Sequence, residues 1–214
     1  MPSALILIAD GTEEIEFVTP YDVNCYPFTN TATSTVLIRA GFQVTSVGIN
    51  LKSQYATCTR NVKIIPDTTD LPSEPTTDIL ILPGGGPGAA TFVASNSVQH
   101  LVRAYRDAGK HTAFICAGTT ALVASVKGAG KTEGLESTKM VRVTSHPSVK
   151  KEIEDAGWDY ADESERVVIN GKVITSRGPG TAMEFALTIV EVLVGKEKRQ
   201  EVAGPMLSPE VVKA

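Results

Sequence analysis

A cysteine where a strand turns into a helix is a group that can attack a carbonyl, and this chain places one at Cys116. Ala113 to Ile115 is a short apolar run and reads as a buried strand. Thr119 to Ala124 reads as the start of a helix, and Cys116, Ala117 and Gly118 lie between the two. A sharp strand-to-helix turn at small residues makes an elbow that holds its side chain out at the strand's carboxyl end, as the serine of hydrolases is held. The free N–H groups and positive dipole end of the following helix favour thiolate over thiol. The thiol pKa is therefore expected below the ordinary value of about 8.5. The same residues also suit a small cysteine buried in a strand–helix joint.

Groups that could work with this sulfur are few. Glu16 falls just after a first strand, beside Glu13 and Glu14. It reads either as one more helix-start carboxylate or as a carboxyl kept neutral in a half-apolar site, able to donate to a thiolate or pass a proton. Gly84-Gly85-Gly86 lacks the spacing of a nucleotide-binding loop and has no lysine after it. It is either a tight turn or a set of N–H groups aimed at an oxyanion, with Ala117 N–H as a second donor. Of the 3 histidines, His146 ends an extended run just before Pro147, where an acid–base residue belongs, although a structural histidine fits there too. His100 falls on the polar side of its helix, and His111 on the wrong end of the elbow strand. Arg39 and Arg60 are either surface charges or a grip for an anionic group. Cys25 and Cys58 have no recognisable partner.

The elements that must position these groups alternate. Ala4 to Ala9 is a continuous apolar run, as in a parallel strand covered on both faces. Thr12 is expected to cap a helix running at least to Val18, with Pro20 disturbing it. Asn24 to Thr35 loses helical periodicity and is expected to be an exposed loop. A helix resumes over Val36 to Ala40 and stops at Gly41. Gln43 to Gly48 and Asp78 to Leu82 read as strands, and Thr57 to Ile65 as a weak extended pair. Val98 to Ala108 has the spacing of an amphipathic helix. Met140 to Thr144 alternates like a strand, and Ser148 to Ala156 is a charged helix. Asn170-Gly171 between two apolar runs marks a hairpin. Thr181 to Val194 is a buried helix ended by Gly195, and the tail from Lys196 is expected to pack loosely. Strands alternating with helices imply an α/β fold with a mostly parallel sheet. Ligands then sit at the carboxyl ends of the strands. Glu16, the glycine turn, Cys116 and His146 all fall there.

Composition narrows the classes. The chain has 214 residues, most simply one domain spanning 1–214, and 42% hydrophobic content suits a globular core. A net charge of −4 and the lack of a basic stripe give no sign of nucleic-acid binding. The 3 cysteines form no CxxC pair and have no histidine cluster beside them, so neither a metal site nor a disulfide framework is expected. A reducing compartment suits them. Met1 to Ile8 reads as a first strand rather than a signal peptide, and no apolar run reaches the length of a membrane span.

Five segments, in order, resemble a known family: Ala9 to Glu16, Leu82 to Gly86, Ile115 to Gly118, Thr144 to Pro147, and Thr175 to Thr181. The chain resembles the ThiJ/PfpI superfamily from Ser3 to about Pro205, most of all the branch with the Parkinson's-disease-linked protein deglycase. The resemblance implies a flavodoxin-like three-layer sandwich and a homodimer. It implies a reactive Cys116 paired with a protonated Glu16, an oxyanion hole at the N–H groups of Gly85 and Ala117, and His146 nearby. It makes Arg39 and Arg60 pocket-lining residues, Arg60 reaching across the dimer. Proteases and chaperones of the superfamily carry a histidine directly after the cysteine. Here that position is Ala117, which argues against proteolysis. The segment from about 24 to 36 is an insertion relative to the family, in a helix that there helps form the dimer.

The activity so implied is cofactor-free conversion of methylglyoxal to D-lactate (glyoxalase III), without glutathione or metal. Deglycation of proteins or nucleotides is a related reaction. Substrates are then small α-oxoaldehydes or glycated amines and thiols, in the cytoplasm and also the nucleus. The alternative on the same cysteine is an oxidative-stress sensor or redox-regulated chaperone, since an accessible thiolate is also readily oxidised.

Overall fold

The computed structural model describes residues 1–21, 36–127 and 138–208. The segment expected as a loop over Asn24–Thr35, with Cys25, lies outside them.

The chain opens with β1 (Ser3–Ile8), α1 (Glu14–Val18), α2 (Val36–Arg39) and β2 (Gln43–Gly48). A small hairpin follows, β3 (Ala56–Thr57) and β4 (Lys63–Ile64), then β5 (Ile79–Leu82), α3 (Gly86–Ala94) and α4 (Asn96–Asp107). β6 (His111–Ile115), α5 (Thr119–Lys127) and α6 (Lys150–Asp155) lead to β7 (Val167–Asn170), β8 (Val173–Ser176), α7 (Ala182–Val194) and α8 (Lys196–Ala203). The main sheet runs β2-β1-β5-β6-β8-β7. All neighbours are parallel except β7, which pairs antiparallel with β8 across a two-residue turn at Gly171-Lys172, one residue beyond the expected Asn170-Gly171, with Asn170 ending β7 opposite Val173. Gly171 has φ +59, the left-handed conformation that such a turn needs.

The two faces of the sheet follow from alternation along each strand. Ala4, Ile6, Ile8, Ile79, Ile81, Ala113 and Ile115 pack toward α1, α2, α7 and α8, through Phe17, Leu37, Phe185 and Val202. Leu5, Leu7, Leu80, Leu82 and Phe114 face the other way, onto Phe92 of α3, Leu101 and Tyr105 of α4, Leu122 of α5 and Ile153 of α6. This three-layer α/β sandwich is the flavodoxin-like architecture. Because strand order reverses between β1 and β5, a crevice opens outside their carboxyl ends. No helix among the described residues is long and apolar enough to cross a membrane.

Besides the shifted turn, four local expectations fail for identifiable reasons. Thr12 does not cap α1; its Oγ1 turns back to accept from Ala9 N–H at 3.0 Å, closing the end of β1. Met140 to Thr144 forms no strand; only Val143 bridges, to Tyr160. The edge beside β8 that it would need is taken by β7. Lys196–Ala203 is not loose, since as α8 it buries Val202 and Ala203 against α7; the tail beyond 208 lies outside the described residues. The fourth failure concerns the thiol and arises in the site itself.

Candidate active site

Three chain crossings meet at the carboxyl end of the sheet. β1 leads through a tight turn into α1, which carries Glu16. β5 ends at the Pro83 to Gly85 turn, and β6 ends at Cys116. The turns are stitched together: Glu13 N–H donates to Gly84 O at 3.0 Å, and Gly84 N–H donates to Glu16 Oε2 at 2.8 Å.

Cys116 has φ +62, a left-handed backbone that a non-glycine residue adopts at a cost of about 1–3 kcal/mol. The surroundings enforce it. A Cβ on Gly118 would come within 2.6 Å of Leu82 O, so the chain can leave β6 closely only where that residue has none. The elbow points the sulfur into the crevice, where the N–H groups of Gly85 and Ala117 favour its charged form. The two N–H groups expected of an oxyanion hole thus act on the same sulfur. Gly85 itself needs to be glycine: its φ is +86, and a Cβ there would lie 2.2 Å from Gly11 O.

Gly84 makes the pairing of acid and sulfur possible. A Cβ at this position would sit 2.7 Å from Cys116 Cβ, 2.8 Å from Glu16 Oε2 and 2.9 Å from Ala117 N. Gly84→Ala is therefore expected to destabilise the fold by about 2 kcal/mol, as overpacking does, and to slow alkylation of Cys116 in the folded state. Urea denaturation and iodoacetamide kinetics measure the two effects; an unchanged midpoint and rate would show that this contact is not needed.

Glu16 is fully buried and in hydrogen-bonding contact with the Cys116 side chain. Burial pushes its carboxyl up to about 7, against the hydrogen bonds from Cys116 and Gly84 N–H. The thiol does not lie below its ordinary value, contrary to the expectation from the helix dipole. It is pushed up to about 12, first by burial and then by the negative charge of Glu16 and the hydrogen bond to it. The turn after Cys116 is a short 3-10 segment, and 8% exposure removes most of the water that would solvate a thiolate. Two of the three causes that raise the thiol vanish when Glu16 holds the proton, because a neutral carboxyl donates to the sulfur instead of repelling it. The two groups are therefore coupled: burial raises both, and a negative charge on one opposes a charge on the other.

Cys58 provides a contrast. It is 3% exposed, and burial with the charges of Glu14, Glu13 and Asp10 pushes its thiol up to about 12. Its acidic neighbours Glu13 and Glu14 are held by other partners. Thr59 Oγ1 lies 2.7 Å from a Glu13 carboxyl oxygen and 2.6 Å from a Glu14 one, its single proton serving one of them at a time, and Arg60 N–H donates to Glu14 at 2.9 Å. Although burial pushes Glu14 up, these bonds hold its pKa below the ordinary value. Cys58 stays a thiol.

His146 is half-buried at the rim. Its Nδ1 is held by Ser148, whose Oγ lies at 2.8 Å and whose N–H lies at 3.2 Å. Its Cδ2 edge faces Gly178, and beyond Gly178 lies Oε1 of Glu16. The arginines are elsewhere. Arg39 ends α2, whose chain enters β2 beside Ser3, so within one chain it stands at the amino end of the sheet, away from the sulfur. Arg60 is on the crevice side but exposed, in the turn held by Glu14. A single chain thus unites Cys116, Glu16, Gly85, Ala117 and His146, and brings neither arginine to the sulfur.

The Gly84 clamp and the Thr59–Glu13–Glu14 link were not legible in the residues. A run of three glycines does not say which of them faces the sulfur, and Thr59 is distant in sequence. Among the described residues, no group of three histidine, cysteine or carboxylate side chains is placed to hold a metal ion.

A flavodoxin-like sheet with a strained cysteine after one strand and a buried carboxyl beside it defines a class of cysteine-elbow proteins. Residues 2–192 match the DJ-1/PfpI family, and the chain belongs to it. It is 39% identical over 207 residues to protein dj-1beta of Drosophila melanogaster, covering 96% of each chain. It is 36% identical over 207 residues to glutathione-independent glyoxalase DJR-1.2 of Caenorhabditis elegans, covering 95% of each. The crystal structure of Drosophila melanogaster DJ-1beta superposes with a TM-score of 0.79 at 38% identity, over 97% of this chain and 98% of that one.

Proposed function

We propose that this protein is a glutathione-independent glyoxalase that converts methylglyoxal to D-lactate through Cys116, with deglycation of amines and thiols as a related reaction. The carrying observation is the left-handed elbow that sets Cys116 beside the buried carboxyl of Glu16, with Gly84 leaving room for the two to meet. The name of the nematode relative supports the substrate class.

The reaction balances with water as the only co-reactant. The Cys116 sulfur adds to the aldehyde carbon, and the carbonyl oxygen takes the proton that Glu16 holds, giving a hemithioacetal. The N–H groups of Gly85 and Ala117 stabilise the alkoxide as it forms. Glu16, now a carboxylate, removes the hydrogen on the former aldehyde carbon as a proton. The resulting enediolate is reprotonated at the neighbouring carbon. The product is a lactoyl thioester, since one carbon has been oxidised and its neighbour reduced within the same molecule. Water cleaves the thioester to lactate and restores the thiol. His146 at the rim is placed to pass protons between the two oxygens. Lactate formation from methylglyoxal by the purified protein, without glutathione or added metal, tests this reading; no lactate would refute it.

We further propose that the protein works as a homodimer. Exposed Ile15 on α1 and exposed Val62 and Ile65 on the hairpin held by Glu14 support an apolar contact there. Light scattering at micromolar concentration is expected to give twice the chain mass of 22.7 kDa; a monomer mass would count against it.

A further inference from the structure

Gly178 differs from the other glycines of the site. Among the described residues, a Cβ built on it meets two atoms within 4 Å, His146 Cδ2 at 3.4 Å and Glu16 Oε1 at 3.9 Å, both ordinary contacts. Its φ of 167 is extended backbone that any residue adopts. Nothing in the fold itself therefore demands glycine here, unlike Gly84 and Gly85, where a side chain would collide with backbone or with the sulfur's own Cβ. The wall at Gly178 is nevertheless rigid. Gly178 N–H donates to Thr181 Oγ1 at 3.0 Å, Thr181 N–H donates to Gly178 O at 2.8 Å, and Thr181 Oγ1 is 2.6 Å from Ser176 Oγ. The space over Gly178 is edged by Glu16 Oε1, which is fully buried and has no hydrogen-bond partner among the described residues. A carboxyl oxygen buried in that way is costly unless a bound molecule supplies a partner.

We infer that Gly178 sets the size limit of the substrate: the space over it, between Glu16 Oε1 and His146, seats the carbon next to the aldehyde and the substituent that it carries. This rests on the proposed glyoxalase reading. That carbon receives the proton, so it must lie within reach of Glu16 Oε1, and its substituent must then pass over Gly178. A methyl group on residue 178 shortens this space without touching the sulfur.

The test is Gly178→Ala, assayed with glyoxal, methylglyoxal and phenylglyoxal. The expected result is a fall in kcat/KM for phenylglyoxal at least about 10-fold greater than for glyoxal, the usual scale for added bulk in a pocket. Alkylation of Cys116 by iodoacetamide and by N-benzyl iodoacetamide supplies a readout that needs no turnover. The variant should slow the bulky reagent while leaving the small one nearly unchanged, and His146→Ala, which removes the opposite wall, should move the ratio the other way. Gly180→Ala, where a Cβ meets nothing within 4 Å, should change neither ratio. Equal losses for all three aldehydes, with an unchanged alkylation ratio, would overturn the inference. Absence of turnover in the wild type with a shifted alkylation ratio would refute the glyoxalase reading and keep the size limit.

Discussion

Cys116→Ser is expected to reduce lactate formation from methylglyoxal at least about 10³-fold, as removal of a nucleophile does. A serine oxygen would keep the two N–H donors and the contact with Glu16, so position is preserved and only the nucleophile changes. Hydroxyl pKa values lie far above those of thiols, and a carboxyl that titrates near 7 cannot draw off such a proton. Cys58→Ser is expected to leave turnover within about 3-fold of the wild type, because Cys58 sits among carboxylates already committed to Thr59 and Arg60, and such substitutions away from the chemistry cost little rate. Lactate assays of the two variants beside the wild type check both statements. Full turnover by Cys116→Ser, or loss of turnover in a folded Cys58→Ser, would place the chemistry elsewhere.

Glu16→Gln is expected to separate the two roles of the carboxyl. Glutamine remains neutral and can still donate to a thiolate, so alkylation of Cys116 by iodoacetamide should stay within about 10-fold of wild type. Proton transfer between the two substrate carbons is lost, and kcat should fall by about 10²–10⁴-fold, the usual worth of an acid–base group. The variant also has a pH signature in stability. The Glu16 pKa is raised in the folded state from 4.5 to about 7, chiefly by burial, so folding favours the protonated carboxyl. That stabilisation is whole below pH 4.5 and is lost as pH rises through about 7. A rise of this size corresponds to about 3 kcal/mol. Glutamine has no proton to lose, so Glu16→Gln should gain about 3 kcal/mol relative to the wild type between about pH 4.5 and pH 8. Urea denaturation at the two pH values measures it. A difference between variant and wild type that does not change with pH would mean that the carboxyl does not titrate in this range in the folded protein.

The order of elements was largely written in local patterns. Continuous apolar runs at Ala4–Ala9, Asp78–Leu82 and Ala113–Ile115 can be satisfied only by strands covered on both faces, and all three lie in the one sheet, as β1, β5 and β6. Asn170-Gly171 marked the hairpin, but the turn falls one residue later, at Gly171-Lys172, because only Gly171 takes the positive φ while Asn170 stays in β7 opposite Val173. Cys116 was legible as an elbow because small residues between an apolar strand and a helix start have few other uses, and the positive φ at the cysteine agrees. Local pattern misled where neighbours decide. Met140 to Thr144 alternates like a strand, but the edge next to β8 belongs to β7. Thr12 is a good helix cap by type, yet it bonds Ala9 N–H inside the β1 turn. The reactivity of the sulfur lay beyond any local reading. A helix start promised a low pKa, whereas burial and Glu16 raised it and coupled two separate acids. Residue type and spacing determine which groups can ionise. Desolvation and the charge of a group a hundred residues away in the chain determine whether they do, and only the packed tertiary structure sets those two quantities.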